Sequence, residues 1–388
     1  MRLFGLTPGE TEVLTLPDGI PVYLAHRDLA DIKARVEREG LPAGRDSSIW
    51  TSFRIQGELL FENVKTHFTP DIVHLHDHLA LSAAAQYKEA FGCPVVWDAH
   101  EIYEDLASIE EVRAVVNSRI IGQNVRHVDG FITLNQSIAD FYQEKYPDLP
   151  EAVLLPNAVE QLTRAHYDGR LHEKAGLEAD QKILLFQGGY SPHRGIGALL
   201  DSARLLDDEW SLVFMGWGKL EDEIRAAVEA ESDRPAGRAR VAMVPSAPHE
   251  ELLSWTAGAS LGAIPYENTG LNHLYCSPNK LWEYPAAGVP ILASDMPEMK
   301  KKIEQYGIGL TVGRDLEPGD IAASINALSD ADLKTMRANC AIYATKENWQ
   351  NYEGRLTGLH MELGKRFGIV RSGSGRILER VTQFFKKR

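Results

Sequence analysis

The segment Cys276-Ser-Pro-Asn-Lys-Leu-Trp-Glu-Tyr-Pro-Ala-Ala-Gly places a cation and a carboxylate three residues apart, just after a helix-start signal. Ser277 is a favoured N-cap residue and Pro278 suits the first helical position. Asn279 and Lys280 complete the first turn and Gly288 supplies the stop, so a helix is predicted over 277–287. Its opening turn would present unpaired backbone N–H groups beside the Lys280 ammonium, a combination that suits a diphosphate. Glu283 lies on the same face, where a carboxylate can accept hydrogen bonds from both hydroxyls of a ribose. An ordinary capped helix with a surface Lys–Glu pair reads the same way, so this segment alone does not decide.

Further segments carry ligand-compatible chemistry. Phe186-Gln-Gly-Gly-Tyr-Ser-Pro-His-Arg-Gly-Ile reads as a strand, a glycine turn and a helix opening at Gly195. Gly188 and Gly189 would let the backbone approach a ligand closely. Arg194 would stand at the helix start with a guanidinium fit for bidentate phosphate binding. Phe214-Met-Gly-Trp-Gly-Lys-Leu-Glu gives a second such turn at Gly216. In the first half, Asp71-Ile-Val-His-Leu-His-Asp-His and Val95-Val-Trp-Asp-Ala-His-Glu-Ile-Tyr both put polar residues just after apolar strands, where α/β active sites lie. His74 and His76 have zinc-like spacing, but no third and fourth ligand is evident, so no metal is expected. One of the two reads as a hydrogen-bonded core histidine. His100, in an Asp-Ala-His-Glu turn, is the better functional candidate. No carboxylate stands out as the nucleophile of a double displacement.

Alternating strands and helices must position these residues. Strand-like runs cover 20–25, 71–75, 94–98, 130–134 and 152–155, then 182–187, 211–215, 240–245, 260–265, 289–293 and 308–312. Several are apolar throughout, as in strands covered on both faces. Helical patterns fall between them at 79–91, 137–145, 196–206, 219–231 and 249–257. The prediction is an α/β protein with parallel sheets and crossover helices: two Rossmann-like domains facing across a cleft. The polar stretch 160–181 marks the boundary, giving a first domain over 1–160, a second over 161–340, and helices returning to the first over 341–388. Residues 2–6 read as the second strand of such a unit, followed by a hairpin through Pro17-Asp18-Gly19. Either the first strand is missing or the N-terminus is divergent.

The 388 residues suit two domains. A net charge of −14, from 41 basic and 55 acidic residues, argues against a nucleic-acid partner. Cys93, Cys276 and Cys340 form neither a metal pattern nor a disulfide framework, as suits a reducing cytoplasm. No apolar run approaches the ~20 residues that span a bilayer. Residues 361–388 nevertheless hold eight basic residues against Glu362 and Glu379. Ile377, Leu378, Val381, Phe384 and Phe385 share one helix face there, so 375–388 reads as a basic amphipathic helix. It would either lie on an anionic membrane surface or dock on its own domain.

The second half resembles the donor domain of retaining GT-B glycosyltransferases, in particular glycosyltransferase family 4 (glycosyl transferases group 1). The resemblance rests on residues 188–195, Gly216-Trp-Gly, residues 246–253, and Pro278-Asn-Lys-Leu-Trp-Glu-Tyr with Ala-Ala-Gly-Val-Pro, and extends over 71–352. It implies metal-independent hexosyl transfer from a nucleotide-diphosphate-sugar to a glycan or lipid-linked acceptor, with retention, in polysaccharide or glycoconjugate synthesis at the cell surface. It further implies that Arg194 and Lys280 neutralise the donor diphosphate, Glu283 holds the ribose, backbone near Val244 meets the base, and His100 contacts the donor sugar near the reacting centre. Gly188, Gly189, Gly216, Ser277 and Asn279 complete the implied donor site. Two positions depart from the family pattern: Tyr275 stands where a second glutamate is usual, and Gly189 where an arginine is usual. Asn272 and His273, in the loop 267–273, are therefore the candidates for sugar contacts. Two other readings stay open. One is a nucleotide-sugar epimerase, which would need acid/base carboxylates near the sugar. The other is a non-catalytic binder of nucleotide-sugars, which the missing glutamate favours.

Overall fold

The computed structural model describes residues 1–38, 45–160, 167–230 and 235–369. The chain forms two compact units, Met1–Pro156 with Tyr352–Arg388, and Asn157–Asn351. The segment 375–388 lies outside the described residues.

The first unit opens with β1 (Leu3–Thr7), β2 (Glu12–Thr15) and β3 (Pro21–His26) in a sheet of order β1-β3-β2. β1 runs parallel to β3, and β2 antiparallel. The expected hairpin joins β2 to β3: Gly19, at φ 78°, donates its N–H to the Leu16 carbonyl across Pro17-Asp18. Helices α1 (Leu29–Arg38) and α2 (Arg45–His67) follow, in a stretch where no element is predicted from the sequence. The buried face of α2 gives the reason, since it mixes Ile55, Phe61 and Val64 with Thr51, Gln56 and Asn63. Gln56 accepts from Arg27, and Asn63 donates to the Tyr23 carbonyl of β3.

Four strands, β4 (Val73–His76), β5 (Val95–Ala99), β6 (Gly130–Thr133) and β7 (Ala152–Leu154), form a parallel sheet in chain order. They are joined by α3 (Asp77–Leu81), α4 (Ala84–Phe91), α5 (Glu111–Asn124) and α6 (Gln136–Lys145). The single helix expected over 79–91 is thus split at Ser82-Ala83. Ser82 Oγ donates back to the Leu79 carbonyl at 2.7 Å. Gly57 of α2 presses on the same spot, where a Cβ would stand only 2.1 Å from Ser82 Oγ.

The second unit holds β8 (Lys182–Tyr190), β9 (Trp210–Gly218), β10 (Val241–Val244), β11 (Leu261–Ile264), β12 (Ile291–Ser294) and β13 (Gly309–Val312). They pair in parallel in the order β10-β9-β8-β11-β12-β13. Its helices are α7 (Arg170–Ala175), α8 (Ile196–Ala203), α9 (Glu221–Ala230), α10 (Leu252–Thr256), α11 (Leu271–Leu274), α12 (Lys280–Ala286), α13 (Pro297–Tyr306), α14 (Pro318–Asn326) and α15 (Asp330–Lys346). Strand alternation sorts side chains into two cores: Ile183, Leu185, Val213 and Met215 join one buried cluster, and Leu184, Phe186, Leu212 and Phe214 the other. This strand order is the doubly wound one, whose ligands bind at the carboxyl ends of the strands where the order reverses. Here that point lies between β8 and β11.

The glycine turns expected after 186 and 214 are corrected. β8 and β9 run on through them as paired strand, with Gly188 opposite Gly216 and Tyr190 opposite Gly218. Glycine permits the close pairing: a Cβ on Gly216 would lie 1.9 Å from the Gly188 carbonyl oxygen.

Finally α16 (Trp349–Arg366) brings the chain back to the first unit. Leu359 and Leu363 lie over Gly130 of β6, where a Cβ would come within 3.0 Å of Leu359 Cδ1. Arg355 donates to the Leu154 carbonyl of β7 at 3.0 Å. His360 meets His74 of β4, Nε2 to Nε2, at 2.7 Å. Burial lowers the His360 pKa to about 4, so it is neutral at pH 7 and one ring donates while the other accepts. His74 is thus half-buried and hydrogen-bonded within its own unit. No described helix is long and apolar enough to cross a membrane.

Candidate active site

Tyr284 fixes α12 to the sheet. Its ring fills the space left by Gly262 of β11, where a Cβ would be 2.4 Å from Tyr284 Cδ1. Its hydroxyl donates to the Leu185 carbonyl at 2.8 Å and accepts from the Gln187 N–H at 3.2 Å, both on β8. Lys280 and Glu283 precede it on the same side of the helix, so they are carried to the carboxyl end of β8. The Lys280 ammonium rests against Gly188, where a Cβ would be 3.0 Å from Cε and 3.1 Å from Nζ. Burial lowers the Lys280 pKa; the Glu283 carboxylate opposes that shift and the Arg194 charge adds to it. Glu283 accepts through Oε2 from Gln187 Nε2 at 2.8 Å.

Arg194, in the loop between β8 and α8, is set against the end of β11. Gly195, at φ 65°, lies against the end of that strand so closely that a Cβ would stand 2.0 Å from the Pro265 carbonyl oxygen. The contact leaves the Arg194 guanidinium over Tyr266, 4.2 Å from the ring centroid. The loops after β8 and β11 are stitched by His193 Nδ1 on Glu267 Oε2 at 3.0 Å, and by the Glu267 N–H on the His193 carbonyl at 3.2 Å. Gln187, Gly189, Ser191, Arg194, Tyr266 and Lys280 line a recess of about 80 Å³. It sits at the reversal point of the sheet, with two cations aimed at one small space.

The predicted donor residues divide on inspection. Gly188, Gly189, Arg194, Lys280 and Glu283 come together, with Gly216 paired to Gly188. Val244 ends β10 in register with Met215, itself in register with Gln187. Its side chain is buried in the core, so only its backbone is available to a base. The helix expected over 277–287 is corrected: α12 begins at Lys280 and has seven residues. Ser277 is buried, and Asn279, exposed, is the N-cap without a side-chain cap bond. The first carbonyl to accept is that of Pro278, from the Leu281 N–H. What α12 offers a phosphate is therefore the Lys280 ammonium at a helix start whose N-cap side chain makes no cap bond. Asn272 and His273 are both buried. His273 Nδ1 bonds the Glu267 carbonyl at 2.9 Å and its ring lies 5.7 Å from that of Tyr266, so it braces the loop under Arg194.

In the first unit, His100 follows β5. Its N–H donates to the Tyr103 hydroxyl at 3.0 Å, which in turn donates to Asp77. The reading that no third ligand stands near His76 is corrected. Asp98 Oδ2 is 3.1 Å from His76 Nδ1, and Asp98 Oδ1 is 3.1 Å from His100 Nε2. An ionised carboxylate only accepts, so each ring turns an N–H toward it. Burial would raise the Asp98 pKa, but the hydrogen bonds from His100 and His76 outweigh it and hold the carboxyl well below the usual range. Imidazole, carboxylate and imidazole are also donors for a cation, within 4.8 Å of one another; here each Asp98 oxygen serves a different ring. Asp98 and His76 occupy paired positions on adjacent strands, the signal that could have found them together. Gln187, Thr256 and Tyr266 carry no comparable signal.

A doubly wound sheet with two cations and a carboxylate at its reversal point defines a nucleotide-sugar glycosyltransferase of GT-B architecture. Residues 9–158 match the glycosyl transferase 4-like domain and residues 168–347 match glycosyl transferases group 1. The chain belongs to this family of enzymes. It is 24% identical over 312 residues to a D-inositol 3-phosphate glycosyltransferase of Thermobispora bispora, covering 76% of this chain and 71% of that one. Sucrose-phosphate synthase from Thermosynechococcus elongatus has the same fold, with TM-score 0.73 and 16% identity over 94% of this chain and 89% of its own. So does the HepE protein of Anabaena, solved in complex with UDP, with TM-score 0.61 and 14% identity over 95% of this chain and 100% of its own.

Proposed function

We propose that the chain transfers a hexosyl group, with retention of configuration, from a nucleoside-diphosphate-sugar gripped at the β8–β11 reversal point. The observation that carries this reading is the Lys280 ammonium seated on Gly188 and facing the same recess as Arg194. Charge builds on the departing diphosphate as the glycosidic bond breaks, so both cations act more strongly on the transition state than on the bound donor. Glu283 takes the ribose. With no carboxylate nucleophile assigned, the leaving phosphate accepts the acceptor's proton on the face it departs from. His100, oriented by Asp98, supports the transferred sugar electrostatically.

The acceptor has two readings. The proposed glycan or lipid-linked acceptor, in cell-surface polysaccharide or glycoconjugate synthesis, agrees with a basic segment 375–388 that would lie on an anionic membrane. A phosphorylated polyol or sugar is favoured by the relatives, which are named for inositol 3-phosphate and sucrose phosphate. The test is a thermal-shift screen of UDP, GDP, ADP and their glucose conjugates, followed by transfer assays on inositol 3-phosphate, glucose 6-phosphate and lipid-linked sugars. A ligand at 100 times its Kd should stabilise by about 2.7 kcal/mol. Arg194→Ala should abolish most turnover at little cost in stability, and NMR of the product should show the donor's anomeric configuration. Wild-type turnover in Arg194→Ala would remove the assignment. Sugar isomerised without acceptor would point to an epimerase.

A further inference from the structure

We infer that Gln187 is a positioning residue for nucleoside recognition, holding the Glu283 carboxylate in the orientation that a ribose diol requires. The inference rests on the proposed donor site. Gln187 lies inside β8, only 3% exposed, with its backbone N–H already held by the Tyr284 hydroxyl. Its side chain has no freedom to swing toward solvent. At one end Nε2 donates to Glu283 Oε2 at 2.8 Å. At the other, Oε1 accepts from the Thr256 hydroxyl at 2.7 Å. The orientation is forced, since an ionised carboxylate cannot donate and must face the amide NH₂. Thr256 is fully buried at the end of α10, and its single hydroxyl proton is shared between that amide oxygen and the Leu252 carbonyl, also at 2.7 Å. A line of hydrogen bonds thus runs from α10 through β8 to α12, joining residues 187 and 283 that are 96 positions apart.

The chain of contacts commits one Glu283 oxygen to the protein and leaves Oε1 for a ligand. A carboxylate so pinned cannot rotate, and two adjacent hydroxyls can approach it in one geometry. Without the amide, Glu283 would turn among rotamers and lose part of its bond to the diol. Gln187 therefore acts through Glu283 on affinity for ribose, separately from its place in the lining of the recess.

The measurement is the ratio of Kd for 2′,3′-dideoxy-UDP to Kd for UDP, with ADP and GDP pairs run in parallel. The proteins are wild type, Glu283→Ala, Gln187→Met, Gln187→Glu and Thr256→Val. Wild type should prefer the ribonucleotide, and Glu283→Ala should erase the preference. Gln187→Met keeps the side-chain length without the amide; it should cut the preference roughly tenfold, a typical effect of one charge-assisted hydrogen bond, the dideoxy Kd of the same variant serving as the reference for any effect on the diphosphate. Thr256→Val should give a smaller loss of the same kind, and serves if Gln187→Met does not fold. Gln187→Glu sets two carboxylates face to face, so its preference should be lost at pH 8 and return toward pH 5 as the pair shares a proton. A merely structural role would not produce that return. If Glu283→Ala erases the preference while Gln187→Met and Thr256→Val keep it, the positioning role is overturned and the donor site stands. If Glu283→Ala keeps the preference, or no ribonucleotide binds wild type, the ribose assignment falls and the inference with it.

Discussion

Lys280→Met separates a functional cation from a structural one, because the two roles predict opposite signs. The ammonium is buried against Gly188 with its pKa lowered, which means the fold holds it at a cost before any ligand arrives. Its folded pKa lies below the unfolded value, so the unfolded chain binds the extra proton more readily. The penalty is present at neutral pH and disappears as pH rises through the folded value toward that of a free lysine. Methionine fills the same volume without the charge. The unliganded variant should therefore be as stable as wild type or more so, by up to about 2 kcal/mol, or a few degrees in Tm for a unit of this size. Affinity for a nucleoside diphosphate should fall, since removing one partner of a desolvated ion pair costs about 2–4 kcal/mol, roughly 30- to 1000-fold in Kd. Wild type should also take up a proton on binding at alkaline pH, and the variant should not. Calorimetry in buffers of different ionisation enthalpy reads both the Kd and the proton count. A variant that melts many degrees lower yet binds UDP as wild type does would show that Lys280 is a structural group, and the phosphate argument would fail.

Two more outcomes follow from geometry. A Cβ on Gly189 would meet nothing within 4 Å, so Gly189→Arg should fold normally and add a third cation at the recess; calorimetry should show UDP bound more tightly, by about tenfold, with a steeper salt dependence. Deleting residues 373–388 should release the protein from vesicles rich in phosphatidylserine while leaving UDP affinity unchanged, and sedimentation that keeps the same bound fraction would refute the membrane role.

How much was legible in the sequence depended on whether the information was local. Strands such as Val95–Ala99 and Ile291–Ser294 are buried along their whole length, and a continuous apolar run declares that without reference to anything distant. α2 and α5 did not declare themselves, because their buried faces carry Gln56, Asn63, Asn117 and Asn124 as well as aliphatic residues. Asn117 is held by the Tyr103 carbonyl and Asn124 by that of Ile120. A polar group satisfied by a partner behaves as core, but the partner is invisible to a periodicity. The site follows the same division. Arg194, Lys280 and Glu283 were legible through local strings that resemble the family, since a Lys–Glu pair taken alone reads equally as a surface pair. Gln187 and Tyr266 were not: each matters through a contact across the sheet, with Glu283 and Arg194 respectively. The glycine segments were misread because a missing Cβ permits a turn and equally permits two strands to close on each other.

The crossing at α16 has a consequence for how the molecule is made. The groove over Gly130 is filled by Leu359 and Leu363, and His74 bonds His360 on the same returning helix. A ribosome delivers β4 and β6 long before it delivers those side chains. The half of the polypeptide synthesised first is therefore the half completed last, while the uninterrupted half behind it can close as soon as it emerges. During that interval the nascent chain exposes an apolar groove, the surface a holding chaperone would cover until translation ends.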